Sequence, residues 1–235
     1  MTRDRYEGTR NKKRAFFASV MMAAAIVTAV GDSDVEAPFA PPQFHSKIYA
    51  EIANSESMML VLNYDYPNQR TREDYYLLSD KDKPERLYTS IKKYAEGRNY
   101  MIFHRAFGGT AMASPESCFI SPLVGALLAP DALRFARYLG RQQLQIGFGS
   151  DPRHRHTEKR VLSDRWSLLW HESEYLIASS VARDFRDTRP LRVESSAGNY
   201  TILEFREGLL NREDMGTNLF DPSASTIATC ARVRR

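Results

Sequence analysis

Two glutamates separated by one residue, Glu172 and Glu174, are the first candidates for a catalytic role in this chain. On a strand, side chains two positions apart share one face, whereas on a helix they point about 160° apart. A strand would therefore present both carboxylates to one substrate. A helix would leave them on different, solvated sides.

The run Glu172-Ser173-Glu174-Tyr175-Leu176 resembles the E-x-E element of bacterial ADP-ribosyltransferase toxins. The resemblance implies that Glu174 is a catalytic glutamate that orients the nicotinamide ribose of NAD, with Glu172 as its upstream partner. It also implies an arginine on an earlier strand and a serine motif of the S-T-S type. The matching residues are Arg105, which follows the predicted strand at residues 100–103, and Ser121. On this interpretation the protein is a secreted ADP-ribosyltransferase-like enzyme, a toxin or effector, that uses NAD.

Three histidines form a second candidate set: His154 and His156 lie two positions apart, and His171 lies further along the chain. Imidazoles at i and i+2 on a strand could share a metal ion, with His171 or Glu172 as a third ligand. Arginines flank the pair, and their positive charge disfavours a bound cation. We therefore favour a solvated loop, and the sequence predicts no metal site.

Residues 163–185 must position the two glutamates, and their pattern favours a central helix. Ser163 suits the N-cap, and one face would carry apolar residues at helical spacing. These are Trp166, Trp170, Ile177 and Val181. Only residues 175–177 are short and apolar enough for a strand, so the strand remains the alternative.

The rest of the chain mixes predicted strands and helices without strict alternation. Apolar runs and period-2 alternation predict strands at residues 57–66, 100–103, 144–148, 191–193, 200–205 and 227–233. Prolines near the first turn and glycines at the exit predict helices at residues 81–98 and 130–139. The predicted fold class is α+β, a single compact domain with a mixed or antiparallel sheet and several helices.

The first thirty residues have the layout of a secretory signal. Six basic residues precede an uninterrupted apolar run at residues 15–30, which contains a small-residue site and ends at a polar stretch. The run is somewhat shorter than the ~20 residues that span a bilayer comfortably, so a cleaved signal and a retained anchor both stay open. In either case the head would stay cytoplasmic, residues 15–30 could contact the membrane, and the domain would be exported.

The chain beyond the signal carries no net charge. Residues 1–29 hold six of the 33 basic residues and two of the 29 acidic ones, which leaves 27 of each. A neutral body argues against nucleic acid as a partner, because that requires a basic face. Residues 31–46 are polar and proline-rich and predict a flexible linker, followed by one domain at residues 47–235.

The two cysteines, Cys118 and Cys230, both lie beyond the signal. An even count in an exported chain predicts one disulfide between them. Two unpaired buried thiols are the alternative if the chain is not exported.

The leading functional hypothesis is an exported or membrane-tethered partner-binding or assembly component. Tryptophans and tyrosines supply amphipathic surface for a protein partner, and the sequence holds no nucleophile elbow or phosphate-binding glycine loop. This hypothesis needs no cofactor. The ADP-ribosyltransferase-like enzyme is the alternative.

Overall fold

The computed structural model describes residues 37, 40–52, 57–78, 84–104, 117–146, 159–170, 173–181, 188–210 and 219–232. Strands account for 65% of the structure and helical turns for 7%, and none of the described helices reaches seven residues. The predicted α+β class with several helices is therefore wrong, since the described chain is nearly all β-sheet. The strands are β1 (Gln43–Ile52), β2 (Met58–Asp65), β3 (Arg70–Leu77), β4 (Glu85–Lys93), β5 (Arg98–Phe103), β6 (Cys118–Pro122), β7 (Arg137–Ile146), β8 (Lys159–Trp170), β9 (Ser173–Ser180), β10 (Pro190–Ser195), β11 (Gly198–Glu207) and β12 (Cys230–Arg232).

These strands belong to one twelve-stranded sheet, and the chain divides into two compact units. We call them the β2–β6 unit (Pro41–Ala50, Glu56–Ala126 and Ile202–Arg235) and the β7–β10 unit (Leu127–Thr201 with Glu51–Ser55). In the first, the strand order runs β12-β6-β5-β4-β3-β2-β1-β11; in the second, it runs β11-β10-β9-β8-β7. Sequential neighbours pair antiparallel, whereas β12 pairs parallel with β6.

Most of the strand predictions are confirmed. The apolar run at residues 57–66 contains β2, and residues 100–103 lie in β5. Alternation at residues 144–146 falls in β7, and residues 191–193 and 200–205 fall in the antiparallel pair β10 and β11. β1 begins at Gln43, within the stretch predicted as linker.

The predicted helix at residues 81–98 is wrong, because β4 and the start of β5 lie there. Leu87 and Ile91 are four apart, which suggested a helical stripe, but both are buried in β4. β4 is buried on both faces and carries buried polar residues, so no alternation is visible in its sequence. These polar residues are Thr89, Ser90 and Lys92.

The predicted central helix at residues 163–185 is also wrong. Residues 163–170 belong to β8 and residues 173–180 are β9, and the two strands pair antiparallel with Trp166 directly opposite Ile177. Both are buried, as predicted, but they face each other across two strands instead of following one helix. The side chain of Trp170 lies outside the described residues.

Two shorter predictions fail in part. Residues 130–139 contain only a 3-10 turn at Ala132–Phe135 before β7 begins. The predicted strand at residues 227–233 contains the end of helix α1 (Ala224–Thr229) and then β12, which is an edge strand of three residues.

Each unit has its own apolar core. In the β7–β10 unit, Trp166, Leu168, Tyr175 and Ile177 pack beneath residues of the 127–136 segment. In the β2–β6 unit, Ile91 and Tyr100 pack beneath Leu219 and Phe220 of the C-terminal segment. Backbone geometry also constrains the β7–β10 unit, because Gly198 lies at a φ of 154° directly against the carbonyl oxygen of Glu51, where a Cβ would clash.

The predicted disulfide is confirmed. Cys118 of β6 and Cys230 of β12 are directly opposite in the parallel pair and form a disulfide. It joins the C-terminal segment to the sheet, and it is the chemistry of an oxidising, extracellular compartment. Within the described residues, none of the helices has the length and apolar character needed to span a membrane.

Candidate functional site

The residues that resemble an ADP-ribosyltransferase site are only partly described. Glu174 lies on β9 with an exposed side chain and accepts a hydrogen bond from Ser167 Oγ at 2.6 Å. Ser121 lies half-buried on β6, paired with Asn99. Glu174 belongs to the β7–β10 unit and Ser121 to the β2–β6 unit. Glu172 and Arg105 lie outside the described residues, so this site and its use of NAD stay predictions.

The predicted histidine set, His154, His156 and His171, also lies outside the described residues. In the described part of the chain, no three histidine, cysteine, aspartate or glutamate residues come close enough to hold a metal ion.

Polar side chains that the sequence analysis did not select form a cluster in the β2–β6 unit, which we call the Asp74 cluster. It consists of Arg72, Asp74, Tyr76, Arg86, Thr89 and His104. Side chains alternate along β3, so Arg72, Asp74 and Tyr76 share one face. Thr89 of β4 is directly opposite Asp74, and His104 follows the end of β5.

A β-bulge brings Arg86 into this cluster. Arg86 and Thr89 are three residues apart, which in a regular strand would place them on opposite faces. The pairing of β3 with β4 shifts between Tyr75 and Tyr76, so that Tyr76 is opposite Arg86 and Leu87 is the extra residue. The bulge therefore turns Arg86 toward the same face as Asp74.

Asp74 is the buried centre of the cluster, with 1% of its surface exposed. Arg72 donates to both carboxylate oxygens, from Nε at 2.9 Å and from Nη2 at 3.2 Å. Thr89 Oγ1 donates at 2.7 Å, and Arg86 Nη2 forms a further close ion pair. Burial alone would raise the pKa of Asp74, but the hydrogen bonds and charges of Arg72, Arg86 and Thr89 outweigh it and lower the pKa.

The hydrogen bonds of Thr89 determine which ring nitrogen of His104 carries a hydrogen. Because Asp74 is ionised, it can only accept, so the single hydroxyl hydrogen of Thr89 points at Asp74. Thr89 Oγ1 and His104 Nε2 are 2.9 Å apart, so in this hydrogen bond Nε2 must be the donor and the hydroxyl oxygen the acceptor. The cluster thus holds an exposed imidazole with its hydrogen on Nε2.

Tyr76 completes the exposed side of the cluster. Burial, and then the negative charge of Asp74, raise the pKa of its phenol, so Tyr76 is a neutral hydrogen-bond donor at neutral pH. One feature of the sequence could have pointed to this cluster. Arg70, Arg72 and Asp74 lie two residues apart, the spacing that places charged side chains on one face of a strand, and two tyrosines follow them.

A second candidate surface is the β7–β8 pair at the end of the β7–β10 unit. β7 is the last strand of the order, so no described strand pairs with its outer side. The two strands carry five basic residues and one acidic residue, Asp164, although residues 30–235 hold equal numbers of basic and acidic residues. The basic residues are Arg137, Arg141, Lys159, Arg160 and Arg165.

Several of these charges and three leucines face solvent. Asp164 pairs with Arg141 at 2.9 Å, and Arg165 pairs with Glu194 of β10 at 3.4 Å. Arg137, Lys159 and Arg160 are exposed and form no ion pair with the described residues. Leu139, Leu162 and Leu169 are 44%, 45% and 50% exposed.

Comparisons with known proteins assign no activity. No family model matches the chain, and no curated protein matches it. An uncharacterized conserved protein from Thermus thermophilus is similar over 82% of this chain and 91% of its own, with 13% identity and a TM-score of 0.47. PNGF-II is similar over 79% of this chain, with 6% identity and a TM-score of 0.29; the match covers 32% of PNGF-II.

Proposed function

We propose that this protein is an exported partner-binding component that docks an acidic, extended polypeptide segment along β7. The observation that carries the proposal is the combination, on one outer strand pair, of an unpaired strand edge, surplus basic charge and exposed leucines. A strand edge offers backbone donors and acceptors that an extended peptide can pair with.

The positive charge of β7 and β8 favours an acidic partner. Arg137, Lys159 and Arg160 lie on the two outermost strands. Lys159 and Arg160 are consecutive in β8 and therefore point to opposite faces of the sheet, so carboxylates on either face of an extended partner would meet a cation. A second copy of this chain is disfavoured, because two basic edges would face each other. The exposed leucines would contact apolar side chains of the partner.

The docking proposal predicts preferential binding of an acidic β-peptide. The probe is a labelled peptide as long as β7, 10 residues, that alternates glutamate and valine, measured by fluorescence anisotropy. We expect the double variant Arg137→Glu/Arg160→Glu to weaken binding by about tenfold or more, and added salt to weaken binding by wild type. The matched control is Arg98→Glu, an exposed arginine on β5 that should bind like wild type.

Two further probes separate docking from simple charge attraction. A peptide with lysine in place of glutamate should bind poorly, and an acidic peptide N-methylated at alternate residues should lose the backbone pairing. Equal binding of acidic and basic peptides, or of methylated and unmethylated ones, would contradict the proposal.

Export is the second part of the proposal, and residues 1–30 are its support together with the disulfide. We expect mass spectrometry of the protein from its native compartment to find a mature N-terminus near Val30, or an intact N-terminus in the membrane fraction if the segment is an anchor. An intact Met1 on protein found in the cytoplasm would reject export.

A further inference from the structure

The Asp74 cluster carries more positive charge than its buried carboxylate needs. Arg72 pairs with Asp74 through two nitrogens, and Thr89 donates to it as well, so Asp74 is satisfied without a second cation. Arg86 nevertheless joins it, and among the described residues no other carboxylate lies within ion-pair distance of either guanidinium. The two arginines and Asp74 together have a net charge of +1.

Arg86 has N–H donors that the other members of the cluster do not use. Its bonds to Asp74 and Thr89 both come from Nη2. Nε is buried and has no hydrogen-bond partner among the described residues, and Nη1 donates to none of them either. The Arg86 side chain remains 32% exposed. A guanidinium has five N–H donors in a planar fork, so this one is incompletely used.

Two other groups with polar hydrogens lie beside Arg86. Tyr76 is its direct cross-strand neighbour on β3, and its phenol is neutral at neutral pH. The imidazole of His104 bonds to the same Thr89 hydroxyl that Arg86 contacts. The cluster therefore combines the partly exposed side chain of Arg86, a neutral phenol and an imidazole around a fixed, buried carboxylate.

We propose that the exposed side of the Asp74 cluster is a binding site for a small oxyanion, with Arg86 as its principal donor. The planar fork of arginine matches both phosphate and carboxylate oxygens, and the surplus charge favours an anion over a neutral ligand. Asp74, Arg72 and Thr89 hold Arg86 in position from beneath and do not touch the ligand. The site is independent of the docking edge, because it lies in the other unit.

The test is isothermal titration of the mature protein with inorganic phosphate, sulfate and acetate at low ionic strength, with chloride as the reference anion. We expect phosphate or acetate to bind saturably at one site, and the stronger of them to identify the ligand as a phosphate or a carboxylate. Arg86→Gln should weaken binding about tenfold or more, and Arg98→Gln, the matched control on the same sheet, should leave it unchanged.

A second variant keeps the result interpretable if Arg86→Gln fails to fold. Tyr76→Phe retains every ion pair of Asp74, and we expect it to weaken oxyanion binding by about 2- to 12-fold, the effect of one hydrogen bond. In NMR spectra, the ring signals of His104 should shift on titration with the bound anion and not with chloride. Binding that is unchanged in both variants, an effect equal to that of chloride, or unmoved His104 signals would overturn the proposal.

Discussion

Replacing Lys92 with methionine is expected to lower the free energy of unfolding by about 3–5 kcal/mol. Lys92 Nζ lies 2.6 Å from a carboxylate oxygen of Glu73, and the two side chains are 5% and 0% exposed. Methionine retains much of the apolar stem but removes the charge, which leaves the Glu73 carboxylate buried with the hydroxyl of Tyr75 at 2.7 Å. The measurement is urea unfolding followed by circular dichroism.

A double-mutant cycle supplies the control. Lys92→Met combined with Glu73→Leu removes both charges, so the double variant should be more stable than Lys92→Met alone. The cycle attributes the loss to an uncompensated buried carboxylate and not to the changed shape of residue 92. If Lys92→Met stays within about 1 kcal/mol of wild type, the buried pair does not stabilise the sheet as we argue.

The same buried pair explains why this part of the fold is hard to read from the sequence. Lys92 and Glu73 are charged residues in a part of the sheet that is buried on both faces, where apolar residues are expected. The stretch around Lys92 consequently looks like a solvated helix with an apolar stripe. β2, whose residues are mostly apolar, was predictable as a strand.

Predictions failed differently at β8 and β9. Trp166 and Ile177 are buried partners across two strands, and their separation of eleven residues also fits three turns of a helix. A single sequence does not distinguish these arrangements, because pairing between strands is a tertiary interaction. The burial of both residues was predictable, but the element that buries them was not.

The Asp74 cluster depends on two features that spacing does not reveal. The bulge at Leu87 reverses the face on which Arg86 would lie, and His104 reaches the cluster only because β5 pairs with β4. By contrast, the disulfide was predictable from the number of cysteines and the predicted export signal alone. Pairing of side chains across the sheet, and not residue type, decides which polar groups meet.

Removing the disulfide is expected to cost about 4–5 kcal/mol in the chain-entropy model, since the bond closes a loop with a sequence separation of 112 residues. The change is the double variant Cys118→Ala/Cys230→Ala, which leaves no unpaired thiol. Cys118 is buried, and Cys230 packs against the core that contains Leu219 and Phe220. The loss should be measured as a shift in the urea midpoint with little change in packing of the β7–β10 unit.

Reduction of the wild type supplies the comparison, because it breaks the same bond without changing the sequence. If loop closure is the cause, the reduced wild type and the double variant should lose similar stability, and amide exchange should become faster in residues 219–232, which the bond joins to β6. A double variant as stable as the oxidised wild type would mean that sheet pairing and the apolar contacts of Leu219 and Phe220 hold this segment. In that case the disulfide would be dispensable for folding, and it would no longer argue that the chain depends on an oxidising compartment.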